Sequence, residues 1–424
     1  MSGPILGAIA DDFTGATDLA DQLVTGGMRT VQLIGAAQTA LPPDVDAVVI
    51  ALKTRTIAAA DAVAQSLTAL ELLERAGVRQ VLFKYCSTFD STAAGNIGPV
   101  GDALAERLGQ AVTVFCPAYP ANKRSIYNGY LFVGDMLLSE SGMRDHPLTP
   151  MRDANLVRVL AAQSRRPVAN VGLGIVRRGA AAIAAAFAQF AQDGPSHLIV
   201  DVTEDADLRA LGEALDGVKL LSGGAGIAIG LPAVYRRHGW LGASTDAVAE
   251  PVRAGRAAVI AGSASQATRA QVAAFRAGGA PVFEIGEEQI AQPDVAVSSA
   301  LTWAAGHRET AVLISATAEP DVVRRNQERF GVAESGERVE RILAGVAAGL
   351  VAAGVRRLVV AGGETSGAVV GALGATSLRI GPRIEVGVPW TIAQTAEPIG
   401  LALKSGNFGG PDFFANALGM TGGP

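Results

Sequence analysis

Two adjacent carboxylates, Asp11 and Asp12, follow the apolar run 5–10 and precede Phe13-Thr14-Gly15-Ala16. A helix starting there would offer free N–H groups and a partial positive charge to a substrate carboxylate, and an aspartate beside it could take a hydroxyl proton. Capping a helix needs one acid and this site has two plus Thr14. We therefore read Asp12 as the group that orients or deprotonates an acceptor hydroxyl, Asp11 as the cap, and Asp11 and Thr14 as substrate contacts. Three further polar clusters stand where a strand gives way to a helix. Lys53-Thr54-Arg55-Thr56 could hold a carboxylate through the Arg55 fork, although it reads equally as a solvated loop. Lys84 ends an apolar run and leads into Ser87, Asp90 and Ser91, with Asp90 a second candidate for the base, and Asn96-Ile97-Gly98 then opens a helix that could bind an anion. The fourth cluster, 145–150, is a proline-stiffened loop carrying His146, a candidate substrate contact.

The second half holds three glycine-rich turns after apolar runs: Gly262-Ser263-Ala264-Ser265, Gly362-Gly363-Glu364-Thr365-Ser366-Gly367, and Lys404-Ser405-Gly406-Asn407-Phe408-Gly409-Gly410. Glycines let a backbone approach phosphate oxygens, and hydroxyls add donors or magnesium contacts. Each turn alone is an ordinary connection; three converging would make a nucleotide site. There is no GxxxxGK[ST], since Lys404-Ser405 stands in the wrong frame after Gly400. Gly172-Leu173-Gly174 fails as a dinucleotide fingerprint at Arg177, although Asp201 follows a later strand as a ribose-binding acid would.

These clusters require elements to hold them. Apolar runs at 5–10, 47–52, 81–85, 112–116, 168–171 and 198–202 read as buried strands, and helical periodicity fills 59–76, 100–108, 152–164, 180–192 and 205–215. The alternation restarts at 257–261 and continues with strands at 281–285, 311–314 and 357–361. The fold class is thus α/β, with two layered domains and mainly parallel sheets: residues 1–235, a polar linker at 236–256, and 257–424.

Composition narrows the chemistry. Thirty-five Lys and Arg against 40 Asp and Glu give a net charge of -5 with no basic block, so nucleic acid is not an expected partner. Cys86 and Cys116 form no CxxC and are read as buried free thiols; the four histidines have no metal-pair spacing, so any metal would be magnesium held by carboxylate and phosphate oxygens. The apolar run 342–355 is shorter than the roughly 18 residues of a membrane span and reads as a buried helix. Residues 1–10 lack the basic region of a targeting segment, so the expected location is the cytoplasm.

Taken together, Asp11 to Ala16, Lys84 to Ser91 with Gly95-Asn96-Ile97-Gly98, Gly362 to Gly367, and Lys404 to Gly409 followed by Asp412-Phe413-Phe414 resemble the four-carbon acid sugar kinase family over nearly the whole chain. The resemblance implies an N-terminal sugar-acid-binding domain, a C-terminal nucleotide-binding domain, and phosphorylation of a tetronate or oxo-tetronate with ATP and Mg2+. Leu221 to Ala228 and Leu403 to Gly409 look most like the 3-oxo-tetronate branch, whose product is the 4-phosphate; D-threonate or D-erythronate 4-kinase activity is the alternative within the family. Carried over by residue, it places ATP on Ser263, Gly362, Gly363, Glu364, Thr365, Gly406 and Gly409, with Glu364 as a magnesium candidate. Arg55, Lys84, Ser87 and His146 go to the acid, with Asp12 or Asp90 at the hydroxyl. Ala264 and Ala225 stand where relatives often have Cys and Ser, differences that remove no charge. The residues alone leave open a nicotinamide-dependent oxidoreductase or a sugar-acid sensor without chemistry, and they do not fix whether the chain forms a homo-oligomer.

Overall fold

Strands of a parallel sheet covered on both faces must be apolar throughout, and the first strands of this chain are. In the computed structural model, which describes residues 3–37, 41–42, 44–146, 148–242 and 247–421, β1 (Leu6–Ala10), β3 (Ala47–Ala51) and β4 (Gln80–Lys84) are buried at every position. The chain divides into two compact units, Met1–Ala247 and Val248–Pro424. Pro147 of the His146 loop and residues 243–246 of the expected linker lie outside the described residues.

In the first unit, β2 (Thr30–Ile34) joins these three strands. The remaining strands are β5 (Val112–Phe115), β6 (Arg124–Tyr127), β7 (Tyr130–Val133), β8 (Met136–Leu137), β9 (Val168–Val171), β10 (Ser196–Val200) and β11 (Leu220–Gly223). The main sheet has the order β11-β4-β1-β3-β2, all parallel. Register sets Ala10 beside Ala51 on one side and Lys84 on the other, so the segments after β1, β3 and β4 leave the sheet at one level. This half, expected as one layered domain, holds more than one sheet. β5, β10 and β9 form a second parallel sheet, and β6, β7 and β8 form an antiparallel meander that the hydrophobic pattern did not announce. The helix expected over 152–164 spans only Leu156–Ala161, capped by Asn155.

The second unit contains β12 (Arg256–Ala261), β13 (Val282–Glu284), β14 (Val312–Ser315), β15 (Val355–Ala361), β16 (Ser377–Glu385), β17 (Val388–Ala393) and β18 (Ile399–Lys404), ordered β16-β17-β18-β15-β12-β14-β13. β17 runs antiparallel to both neighbours, while β18, β15, β12, β14 and β13 are parallel. The run 342–355 lies largely in the helix Val332–Ala352, which buries Ile342, Leu343, Val346, Ala347 and Leu350. Gly345 and Gly349 let that helix close on Val297 and Leu301 of the helix Pro293–Ala305. Phe413 and Phe414, opening the helix Phe413–Thr421, pack into a core with Trp390, Val359 and Val272. Among the described residues no helix is long and apolar enough to cross a membrane.

Candidate active site

In an open parallel sheet, ligands bind beyond the carboxyl ends of the strands, and the first unit gathers its charged residues there. The backbone fixes the segments first: the Asp11 N–H donates to Lys84 O, and the N–H groups of Thr54 and Arg55 donate to Asp11 O. The side chains then interlock. Arg55 Nε and Nη2 donate to Asp11 Oδ2 and Oδ1 at 2.9 and 2.8 Å, Nη2 also reaches Asp12 Oδ1 at 2.6 Å, and Nη1 lies 3.8 Å from Asp90 Oδ2. One guanidinium thus holds three carboxylates contributed by two loops and a helix terminus.

This geometry corrects two sequence-based expectations. Asp12, not Asp11, is the cap: Asp12 Oδ1 accepts the Gly15 N–H at 3.0 Å at the start of the helix Phe13–Thr25, and Asp12 Oδ2 accepts the Thr14 hydroxyl at 2.7 Å. Asp11 is instead the bidentate partner of Arg55, whose fork is turned to that carboxylate rather than left open for a substrate. Their environments push the two acids apart. Burial raises the Asp11 carboxyl, and Arg55 offsets that only in part. Burial works against Asp12 too, but Arg55, Lys84 and the Thr14 and Gly15 hydrogen bonds outweigh it and hold Asp12 below the usual carboxylate range.

Lys84 is buried at the end of β4 and donates to Tyr85 O. A Cβ added at Gly15 would lie 2.9 Å from Lys84 Nζ and 2.2 Å from Asp12 Oδ1, so the ammonium, the helix N-terminus and Asp12 meet where only a glycine fits. In the loop after β4, Phe89 and Asp90 both have left-handed backbone, with φ of 65° and 48°, conformations costing roughly 1–3 kcal/mol each that the surroundings must enforce. Asp90 Oδ1 accepts the Thr88 hydroxyl at 2.7 Å, leaving Oδ2 toward Arg55. Ser87 is buried in the same loop. Cys86 is half-buried rather than buried, its thiol pushed up to about 12 by burial and by Asp90; Cys116 is buried, and both are free.

Two other expectations change. The anion site expected at Asn96-Ile97-Gly98 is occupied by the protein itself, since the Gly98 N–H donates to Gln163 Oε1 at 3.1 Å. The Asn96 side chain turns back, donating from Nδ2 to Thr54 O at 2.6 Å and Ile57 O at 3.2 Å, which steadies the Arg55 loop. Asp201, which follows a strand as a ribose-binding acid would, accepts from Asn128 N–H, Gly129 N–H, Asn170 Nδ2 and Leu173 N–H at 2.7–3.1 Å and serves the fold. His146 bonds locally, its Nδ1 3.0 Å from the Thr149 hydroxyl, and among the described residues no hydrogen bond joins it to the acidic cluster.

In the second unit, the three glycine turns follow β12, β15 and β18, which are adjacent and parallel, and they meet. Gly362 N–H donates to Lys404 O, and Gly262 N–H to Ala361 O. A Cβ on Gly406 would strike Ser263 Oγ at 2.3 Å, and one on Gly262 would strike Thr365 Oγ1 at 2.2 Å. Gly362, with φ 128°, caps the helix Gly363–Ala372, whose first turn carries Glu364 and buried Thr365. Ser265 caps the helix Gln266–Ala277, accepting the Thr268 N–H. Two helix N-termini at neighbouring strand ends favour an anion. The third turn is held from behind: Ser265 Oγ and Thr268 Oγ1 donate to Gly406 O, and Gln271 Nε2 donates to the carbonyls of Phe408, Gly409 and Gly410 at 3.0 Å each. At Gly409 both a φ of 82° and the Phe413 ring, 2.8 Å from an added Cβ, demand glycine.

The structure therefore brings Asp11, Asp12, Thr14, Arg55, Lys84 and Asp90 together in one unit and Ser263, Gly362, Thr365 and Gly406 together in the other, with Gly363 and Glu364 on the same helix turn as Thr365. Asn96, Thr268, Gln271 and Lys404 were not assigned these positioning roles from sequence. For the last, the signal was present: Lys404, like Lys84, terminates an otherwise apolar strand. Among the described residues no group of three or more His, Cys, Asp or Glu could hold a metal.

Residues 6–231 match the profile of a sugar-binding N-terminal domain, and residues 258–414 that of a nucleotide-binding C-terminal domain. The chain is 56% identical to a 3-oxo-tetronate kinase of Burkholderia multivorans over 98% of its own length and 97% of the relative's. It is 55% identical to a 3-oxo-tetronate kinase of Cupriavidus necator, with 99% and 98% covered. Among solved structures, a Salmonella typhimurium LT2 protein described as a tRNA synthase matches with TM-score 0.85 and 43% identity over 97% of this chain and 98% of the other. A Haemophilus influenzae protein matches with TM-score 0.76 and 43% identity over 98% and 100%.

Proposed function

The chain belongs to the four-carbon acid sugar kinase family, and from that premise we propose that it transfers the γ-phosphoryl group of ATP to the C4 hydroxyl of 3-oxo-tetronate, giving 3-oxo-tetronate 4-phosphate. The observation that carries the reading is identity of 53–56% to four 3-oxo-tetronate kinases, with 97–98% of each relative's length matched. That span includes both the acidic cluster and the glycine turns.

Phosphoryl transfer asks a protein for positioning and charge neutralisation more than for covalent chemistry. The Ser263, Gly362–Thr365 and Gly406 turns bind the phosphates, and Glu364 would help hold a Mg2+ ion, which would neutralise phosphate charge. In the sugar-acid unit, Lys84 receives the substrate carboxylate, and Thr14 and Ser87 line it. Arg55 acts mainly by locking Asp11, Asp12 and Asp90 in place. Asp12 orients the acceptor hydroxyl: its Oδ2 carries one hydrogen bond, from Thr14, and keeps a lone pair for the substrate. A carboxylate held ionised accepts a hydrogen bond reliably but is a weak base, which suits a reaction whose transition state demands little proton removal at the start. An ATP-dependent enzyme of small-molecule metabolism belongs in the cytoplasm and has no need of nucleic acid.

The test is turnover. Purified protein is incubated with ATP, Mg2+ and a panel containing 3-oxo-tetronate, D-threonate and D-erythronate; ADP is followed, and the phosphorylated carbon is assigned by 31P–1H NMR. Turnover of the oxo acid with phosphate on C4 supports the proposal. Turnover of D-threonate or D-erythronate alone moves the chain to another activity of the family, and ADP release from none overturns the reading.

A further inference from the structure

Lys404 is fully buried, yet among the described residues no carboxylate bonds its ammonium. Nζ donates to Ser405 O at 2.9 Å, Gly406 O at 3.0 Å, Phe408 O at 3.0 Å, and lies 3.2 Å from Thr268 Oγ1. The peptide unit is planar and among the described residues no bond is cis, so a carbonyl drawn inward sends the N–H of the next residue the opposite way. The three carbonyls held by Lys404 belong to the same peptide units as the N–H groups of Gly406, Asn407 and Gly409. Among the described residues those three N–H groups have no acceptor in the chain, whereas Phe408 N–H bonds Ser405 O and Gly410 N–H bonds Glu385. A buried cation thus stands behind a row of outward-facing amides, an arrangement suited to anionic oxygens.

We propose that Lys404 is a positioning residue of the nucleotide site: by gathering the carbonyls of Ser405, Gly406 and Phe408 it turns the amides of Gly406, Asn407 and Gly409 outward, and so sets the affinity for the ATP phosphates. This rests on the kinase reading and assigns a residue that reading does not use. The charged groups on the surrounding elements are Arg269 and Arg276 of the helix Gln266–Ala277, Glu364, Glu385 on β16, and Asp412; of these, Glu385 is the one whose field reaches the ammonium and favours its charge. Burial outweighs Glu385 and brings Lys404 down to about 7. The ammonium holds carbonyls well below that pH. Above it, the neutral amine turns a lone pair toward them, and the loop loosens.

Two measurements on the full chain test this. In Lys404→Met, calorimetric binding of a non-hydrolysable ATP analogue with Mg2+ is expected to weaken roughly 10-fold to 100-fold, the range for losing hydrogen bonds to a charged donor, while binding of 3-oxo-tetronate is unchanged. In the unaltered protein, analogue affinity is expected to fall as pH rises from about 7.5 to 9, a range above the phosphate ionisation near 6. The profile of Lys404→Met is expected to be flat. Analogue affinity within about 2-fold of the parent in a folded Lys404→Met overturns the proposal, and so does a flat profile in the parent. If Lys404→Met does not fold, the parent profile decides alone. A parent that binds 3-oxo-tetronate but no ATP analogue at any pH overturns the kinase reading itself.

Discussion

Replacing Asp12 by Asn removes one negative charge and keeps the outline of the side chain, so it separates the charge from the cap. The amide oxygen can take the place of Asp12 Oδ1, still accepting the Gly15 N–H and Arg55 Nη2, while the amide nitrogen faces Thr14, whose hydroxyl turns to accept. Arg55 keeps its two hydrogen bonds to Asp11. The stability loss is that of one partly exposed ion pair with its hydrogen bond retained, about 1 kcal/mol. The effect on turnover is much larger. If Asp12 Oδ2 orients the acceptor hydroxyl, kcat falls by about 10²-fold to 10⁴-fold, equivalent to about 3–5 kcal/mol of transition-state stabilisation. KM for ATP stays within about 2-fold, because the proposed nucleotide contacts lie in the other unit. The assay is steady-state ADP release with each substrate varied, beside a urea titration of the same protein. Near-normal kcat, or a defect confined to KM for ATP, would refute the assignment and make Asp90 the leading candidate, with Asp90→Asn as the next variant.

Asn96→Ala leaves the Thr54 and Ile57 carbonyls without their buried donor, which costs about 1–3 kcal/mol by urea unfolding and, through the Arg55 loop, raises KM for the sugar acid but not for ATP. Gly406→Ala places a Cβ 2.3 Å from Ser263 Oγ and pushes the first and third nucleotide turns apart; a rise in KM for ATP of about 10-fold or more is expected at unchanged sugar-acid binding, and equal loss of both would indicate misfolding instead. His197 is held below its ordinary 6.5 by burial, against the pull of Asp102, so the folded state binds fewer protons than the unfolded state as pH falls through that range. Stability therefore declines below about pH 6.5, and in His197→Gln the decline between about pH 6.5 and 5.5 should be shallower by urea titration; an identical slope would exclude His197 as its source.

The elements that carry the candidate sites could be read from sequence wherever local chemistry alone dictates them. The runs giving β1, β3, β4, β12, β15 and β18 are too apolar to be exposed and too short for helices, and each ends in a polar or glycine-rich turn. Less visible were β2, whose run includes Thr30 and Gln32, and the β6–β8 meander, whose strands are half-exposed and bounded by Lys123 and Asn128 in left-handed backbone rather than by glycine alone. The split of the first unit into two parallel sheets could not be read either, because a strand's sequence reports that it is buried and not which neighbour it pairs with.

The same division holds at the residues that would do chemistry. The sequence by itself determined which groups stand at strand ends: Asp11 and Asp12, Arg55, Lys84, Asp90, and the glycines of three turns, since their positions after apolar runs are matters of local order along the chain. Partnership was decided only by the tertiary structure. That Asp12 caps and Asp11 receives the Arg55 fork depends on β3 lying beside β1, which places residue 55 against residue 11 across 44 positions of sequence. That Lys404 faces carbonyls rather than a carboxylate depends on β18 pairing with β15 and on the helix Gln266–Ala277 supplying Thr268 and Gln271 from more than 130 positions away. A charge in a folded chain takes its chemistry from what it is buried against, and long-range pairing, absent from any local pattern, fixes those neighbours.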